Sequence, residues 1–205
     1  MRSSDKKTQY LTDVEKEELF RQIDQDTSSH HLRNKALFLL AKYCALRVSE
    51  VGLIKLCDYD PRNHLLHCER LKNGNNNTLK IVDPSVYQTV DLYYSKWLHD
   101  SSASNALFIS QLGRPISRKT LDRLMKHYCS NTSIPTNKWH FHVLRHTRAM
   151  ELVEYPNVDV RDVQWWLGHK EIQNTMIYLE YSASCMAVLF DNIKTLEGGK
   201  SYESY

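Results

Sequence analysis

A chain of 205 residues is long enough to bury a substantial core as one domain and short for two full ones. Its 41% hydrophobic and 25% charged residues are those of an ordinary folded protein, which excludes a collagen, a coiled coil and a disordered chain. The formal net charge of +3 at pH 7 permits a nucleic-acid partner without selecting one, because many metabolic enzymes are equally basic.

In chain order, Leu11, Thr12 and Glu15 supply an apolar residue, an N-cap and its capping-box partner, so a helix is expected from there to Asp24. A second is expected over Leu32 to Cys44, where Ala36, Leu37, Leu40 and Cys44 recur at helical spacing. A third runs from Ser49 towards Leu53, with Arg47 between the two. Leu65 to Leu71 and Thr78 to Val82 are short apolar stretches around the turn-rich Lys72-Asn73-Gly74-Asn75-Asn76-Asn77, the pattern of a β-hairpin. Asp83-Pro84 opens a helix carrying Val86, Val90, Tyr93 and Trp97, and Ser117 caps another through Tyr128.

The last third reads as short helices over His142 to Glu154, Val160 to Leu167 closed by Gly168, Thr175 to Tyr178, and Ala183 to Leu196. In the final one Ala183, Met186, Leu189, Phe190 and Ile193 form an apolar stripe, which suits either a neighbouring protomer or the chain's own core. Trp165 and Trp166 are expected to pack in the core. The fold class is therefore α+β and mostly α-helical, as one domain over residues 11–196, with residues 1–10 expected to be flexible and 197–205 a disordered tail.

The five cysteines, Cys44, Cys57, Cys68, Cys129 and Cys185, are odd in number and lack CxxC spacing. That argues against a disulfide framework and a cysteine zinc site, and leaves reduced core thiols. No apolar run is long enough to span a bilayer, and the opening MRSSDKKTQY lacks the apolar stretch of a signal peptide. A cytoplasmic protein without a membrane partner is expected.

Three segments gather charged and nucleophilic residues: Ala45-Leu46-Arg47-Val48-Ser49-Glu50, His142-Val143-Leu144-Arg145-His146, and Leu167-Gly168-His169 followed by Asn174-Thr175-Met176-Ile177-Tyr178. In content and order they resemble the motifs of the tyrosine recombinase, or phage integrase, family, over roughly residues 11 to 190. The first is similar to the family's Gly-Leu-Arg-x-Ser-Glu signature, with Ala45 in place of glycine. The second matches its His-x-Leu-Arg-His box at every specified position. In the third, the tyrosine follows His169 by nine residues, as the family pattern requires.

The resemblance implies that Arg47, His142, Arg145 and His169 are active-site residues and that Tyr178 is the nucleophile. It also implies a lysine on a hairpin turn, for which Lys72 is the candidate and Lys80 the alternative. With these come an integrase-type catalytic domain with a small antiparallel β-sheet, a cofactor-free reaction, and a synaptic tetramer on duplex DNA at the nucleoid. Accessory DNA-bending proteins are further candidate partners. The short length and the Arg70-Leu71-Lys72 stretch are similar to the fimbrial phase-variation invertases, so DNA inversion stands beside integration and excision. The family's extra N-terminal domain has no counterpart ahead of the motifs, which fits either an excised fragment or a minimal recombinase. A type IB topoisomerase and a noncatalytic DNA-binding regulator are the competing functions.

The side chains have the chemistry this requires. Attack on a phosphodiester builds negative charge on the nonbridging oxygens, and two guanidiniums hold those oxygens bidentately while staying charged at any working pH. Arg47 and Arg145 suit that task without a metal. A tyrosine hydroxyl, with a pKa of about 10, serves as nucleophile and later as leaving group. Lys72 can protonate the departing 5′-oxygen, His142 can take the tyrosine proton, and His169 can donate a hydrogen bond to the phosphate.

Several residues keep a second reading. Glu50, three residues after Arg47, is either a support for the active site or an ordinary helix glutamate. Lys119, Arg123 and Lys126 fall near one helical face and suit DNA phosphates or simply water. His142 and His146 have a zinc-ligand spacing, but Val143 stands where HExxH needs its glutamate, and no metal is expected. Tyr155, Tyr181, Tyr202 and Tyr205 compete with Tyr178, which the motif spacing favours.

Overall fold

The computed structural model describes residues 9–99, 104–180 and 194. Helices α1 (Asp13–Asp24) and α2 (His31–Tyr43) lead into a short α3 (Val48–Val51). Strands β1 (Tyr59–Asp60), β2 (Leu65–Cys68) and β3 (Asn77–Lys80) follow. Helices α4 (Pro84–His99), α5 (Arg118–Cys129), α6 (Val143–Glu154), α7 (Val160–Leu167) and α8 (Gln173–Leu179) complete the order. The mostly helical α+β class and the small antiparallel sheet are those expected.

Helix ends form where local chemistry dictates. Thr12 Oγ1 accepts from the Glu15 amide at 3.3 Å, and the Glu15 carboxylate accepts from the Thr12 amide at 2.7 Å, a complete capping box at α1. Ser117 Oγ accepts from the Thr120 amide at 3.2 Å and opens α5. Gly168, at φ 62°, ends α7 in the left-handed conformation that favours glycine.

The sheet has one strand more than the hairpin read from the sequence. Its order is β1-β2-β3, with Tyr59 opposite Leu66 and Leu66 opposite Leu79. Two-residue β1 is too short for any alternation to register. The hairpin ladder is also shorter than expected, since Lys72 and Asn73 adopt φ of 59° and 57° and turn the chain. Side-chain alternation nevertheless continues past β2: Leu66, Cys68 and Arg70 are buried, while His67 and Glu69 are exposed.

α2 is the central element, with Ala36, Leu37, Phe38, Leu40 and Ala41 fully buried against its neighbours, chiefly α4 and α6. A smaller cluster of Met150, Val153, Val163, Leu167 and Tyr178 joins α6, α7 and α8. Leu46 and Leu144 belong to the larger cluster and Ala45 and Tyr178 to the smaller one. Arg47 and Arg145, each next in sequence to one of those leucines, sit at the seam.

Trp166 packs against the core, but Trp165 is 55% exposed, because it faces away from both clusters on a short helix. Cys44, Cys68 and Cys129 are buried free thiols, whereas Cys57 lies exposed in a 3₁₀ turn and is no core residue. Cys185, the expected helix over 183–196, the tail 197–205 and most of residues 1–10 lie outside the described residues. Among the described residues no helix is long and apolar enough to cross a membrane.

Candidate active site

The chain turns sharply between α2 and α3: Ala45 takes φ 50°, and Arg47, in extended conformation, precedes the first residue of α3. One turn on, Glu50 is 2% exposed and gathers four donors. Its carboxylate accepts from the Arg47 amide at 2.8 Å, the Arg47 guanidinium at 2.7 Å, the Arg70 guanidinium at 3.3 Å and the Leu71 amide at 3.0 Å. Burial alone raises its pKa, but the hydrogen bonds from Arg47 and the charges of Arg70 and Arg47 outweigh that and hold it below the usual carboxylate range. Glu50 thus positions one expected arginine and one that the motif did not mark.

Arg70 donates to the carbonyls of Cys44 at 3.1 Å and Trp166 at 2.8 Å, and to Asn77 Oδ1 at 3.1 Å. Asn77 Nδ2 donates in turn to the carbonyls of Trp165 and Trp166 at 2.6 and 3.1 Å. These bonds satisfy carbonyls that the end of α7 leaves open. The signal that reveals Arg70 is the alternation through Leu66 and Cys68, which puts an arginine on a buried face where it must find partners.

Arg145, on the first turn of α6, is 2% exposed and donates to the carbonyls of Ala45 at 2.5 Å and Leu167 at 2.8 Å. Both partners are neutral, so its charge stays available to an anion. Burial, then the charges of Arg47 and Arg70, push its pKa down to about 9, which still leaves it protonated at neutral pH.

Lys72 is exposed in the turn after β2, and the backbone on both sides of it is anchored to the cluster. Leu71 is held by Glu50, and the Asn75 amide donates to the Gly168 carbonyl at 3.1 Å. The approach is close: a Cβ on Gly74 would lie 2.7 Å from the Gly168 oxygen and 2.8 Å from Arg70 Cβ. Lys80 instead sits exposed on β3, and its carbonyl accepts from Tyr43.

His169 is buried, its Nδ1 2.9 Å from Thr175 Oγ1. The His142 ring lies edge-on to His146 at 4.6 Å. Tyr178 is 2% exposed, and its hydroxyl is 2.9 Å from His146 Nδ1. The ring within hydrogen-bond distance of the tyrosine hydroxyl is thus that of His146, and His142, expected to take the tyrosine proton, stands one ring further back. The four-residue spacing that put both rings on one helix face was the available signal.

Burial is the first cause of depressed pKa values in all three histidines. His142 falls to about 3 with help from His146 and Arg145, His146 to about 4 with help from Arg145 and His140, and His169 to about 3 with help from Arg145 and Arg47. Each is neutral at pH 7. Burial raises the Tyr178 pKa more than Arg145 and Arg47 lower it.

Lys119, Arg123 and Lys126 form a separate feature, exposed on α5 and lining an open concavity with Arg118 and Asp122. Among the described residues no group of three or more His, Cys, Asp or Glu side chains is placed to hold a metal ion.

Helical layers around a small sheet, with arginines, neutral histidines and a buried tyrosine brought to one seam, define an integrase-type catalytic domain. The sequence matches the phage integrase family over residues 9–184, and the chain belongs to that family, the tyrosine recombinases, enzymes of site-specific DNA recombination. It is 26% identical over 193 residues to the type 1 fimbriae regulatory protein FimB of Escherichia coli K12, covering 94% of each chain. It is 31% identical over 170 residues to the tyrosine recombinase XerC of Caldanaerobacter subterraneus, covering 82% of this chain and 46% of that one. Among solved structures, the XerA recombinase superposes with a TM-score of 0.74 at 21% identity, covering 90% of this chain and 65% of XerA. The chain thus spans nearly all of the fimbrial protein, about half of XerC and 65% of XerA.

Proposed function

We propose that this protein cuts and rejoins duplex DNA at a specific site through a 3′-phosphotyrosine on Tyr178. The observation that carries the reading is the meeting of Arg145, a buried cation whose side-chain partners among the described residues are neutral carbonyls, with the buried Tyr178 phenol at one seam. A phosphodiester supplies the missing anion there. Arg47 and Arg145 hold its nonbridging oxygens, and they favour the transition state because charge grows on those oxygens during attack. When Thr175 donates to His169 Nδ1, the ring proton sits on Nε2 and is free to donate to the same phosphate.

Tyr178 Oη bonds to phosphorus while the bond to the 5′-oxygen breaks, and Lys72, rather than Lys80, protonates that oxygen. Religation runs the same steps backwards, since the phenolate is a good leaving group. His142 takes the tyrosine proton as general base.

The catalytic unit spans residues 11–196 and requires no cofactor. Lys119, Arg123 and Lys126 contact flanking phosphates, which position DNA without reading its sequence. Four protomers assemble on paired sites, with the apolar stripe from Ala183 to Ile193 as a seam between them. DNA-bending proteins assist, and the enzyme works in the cytoplasm at the nucleoid. Among outcomes, inversion is favoured by the match that covers 94% of a fimbriae regulatory protein and by Arg70-Leu71-Lys72.

The test uses nicked duplexes built from inverted repeats in the DNA flanking the gene. The expected product is a denaturant-resistant protein–DNA adduct whose nucleotide-bearing peptide contains Tyr178. Binding without any adduct would support a noncatalytic regulator. Relaxation of plasmids lacking a site would support a topoisomerase.

A further inference from the structure

We infer that Arg70 is a positioning residue for the general acid: it fixes the turn that carries Lys72, so that the Lys72 ammonium meets the departing 5′-oxygen. The inference rests on Lys72 being that acid. Lys72 is exposed, and its backbone takes φ 59°, followed by Asn73 at 57°. Two successive residues with side chains keep a left-handed conformation only where their surroundings impose it. Arg70, two residues before Lys72, is the point at which that surrounding structure converges.

The Arg70 side chain is wholly buried, and four of its five N–H groups are used. Nε donates to Asn77 Oδ1 at the start of β3 at 3.1 Å, and one terminal nitrogen donates to Glu50 at 3.3 Å. The other donates to the carbonyls of Cys44 at 3.1 Å and Trp166 at 2.8 Å. The Arg70 main-chain amide donates to Asn76 Oδ1 at 2.8 Å, which closes the turn from its outer side. The stem runs between two glycines: a Cβ on Gly168 would lie 2.6 Å from Arg70 Cγ, and one on Gly74 2.8 Å from Arg70 Cβ.

One residue thus fastens the Lys72 turn to the end of α2, to Glu50 on α3 and to the end of α7. Arg47 and His169 adjoin those same segments, so the acid is held in one frame with the groups that hold the phosphate. The shape of the guanidinium is what allows it. Its planar fork reaches acceptors on several sides at once, whereas an ammonium is a point charge on a flexible stem. Arg70→Lys therefore keeps a positive charge for Glu50 but cannot join Asn77, Cys44 and Trp166 together. A role as counter-charge alone survives that substitution, and a positioning role does not.

The test measures single-turnover adduct formation by wild type, Arg70→Lys, Lys72→Ala and the double variant. Each meets two nicked duplexes, one with the ordinary 5′-oxygen and one with a 5′-bridging phosphorothiolate, with gel shifts for binding and circular dichroism for folding. Arg70→Lys is expected to cleave the oxygen substrate about 10²-fold more slowly, the effect of misplacing a catalytic group by about 1 Å. It should cleave the sulfur substrate near the wild-type rate, because sulfur leaves without a proton. The double variant should cleave the oxygen substrate no more slowly than Lys72→Ala, since both changes remove one function.

Equal defects of Arg70→Lys on both substrates would overturn the inference and make Arg70 a brace of the whole site. Wild-type rates on both would overturn it too, leaving a counter-charge for Glu50. Should Arg70→Lys not fold, Asn76→Ala decides: its side chain is exposed, and it removes the acceptor of the Arg70 amide without touching the buried guanidinium. The same preference for sulfur over oxygen is expected there, and its absence would overturn the inference. Equal defects of Lys72→Ala on both substrates would instead sink the acid assignment beneath it.

Discussion

Glu50→Gln keeps the shape of the buried side chain at the centre of the site and removes its charge. Each carboxylate oxygen receives two donors: Oε1 those of the Arg47 guanidinium and the Leu71 amide, Oε2 those of the Arg47 amide and the Arg70 guanidinium. A glutamine has one accepting oxygen, so whichever way its amide lies, two N–H groups face a donor. Each orphaned donor costs about 1–3 kcal/mol. The sum agrees with the ~3–5 kcal/mol typical of removing one partner from a buried ion pair. For a domain of this size about 2–4 °C accompanies each kcal/mol, so the melting temperature should fall by roughly 6–20 °C.

Cleavage should suffer as well, because Arg47 loses the clamp that aims it, and misplacement by about 1 Å costs on the order of 10²-fold. Thermal melts and single-turnover adduct formation measure the two effects, the second at a temperature where the variant is folded. A variant melting within about 2 °C of wild type and cleaving normally would refute the role given to this carboxylate.

Lys72→Ala should slow cleavage of an ordinary 5′-oxygen linkage by about 10²-fold or more and spare a 5′-bridging phosphorothiolate, whose sulfur leaves without a proton. Equal defects on both substrates would make Lys72 a phosphate ligand or shift the acid to Lys80. Gly168→Ala forces a side chain into φ 62° with its Cβ 2.6 Å from Arg70 Cγ and 2.7 Å from the Asn75 oxygen. The backbone alone costs about 1–2 kcal/mol, so chemical denaturation should show at least that loss, and an unchanged midpoint would contradict the tight docking of turn on turn. The neutral histidines make stability depend on pH. Their pKa values are lowered on folding, to about 3 for His142 and His169 and about 4 for His146, so the unfolded chain binds protons that the native one refuses. Stability is complete above the unfolded value of about 6.5 and falls as pH drops from there towards 4, by up to ~1.4 kcal/mol per pH unit for each histidine. Urea midpoints at pH 7, 6 and 5 measure the slope, and a flat profile would mean that these rings are not held neutral.

The features legible in the sequence are those fixed within a few residues of themselves. The Thr12–Glu15 capping box, the Ser117 cap and the Gly168 stop each depend on one local hydrogen bond or one dihedral angle, and they define α1, α5 and α7. Arg47, Arg145, His169 and Tyr178 were legible through motif order, and the structure brings their segments to one seam. What escaped depends on tertiary packing. β1 exists only because Tyr59 pairs with Leu66, and Asn77 matters only because α7 ends against it. Arg70 is defined by Glu50 and by carbonyls 26 and 96 residues away in sequence. Trp165 is exposed although Trp166 beside it packs, a distinction that hydrophobicity alone does not make.

Tyr178→Phe deletes a single oxygen and leaves the ring in its core cluster, at a cost in stability of about 1 kcal/mol for the lost hydrogen bond to His146. Wild type, Tyr178→Phe and Tyr181→Phe incubated with the same nicked duplex, and resolved under denaturing conditions, give the decisive comparison. Covalent adducts should form with wild type and Tyr181→Phe and be absent from Tyr178→Phe, with gel-shift binding intact in all three. Adducts from Tyr178→Phe that disappear in Tyr181→Phe would contradict the account.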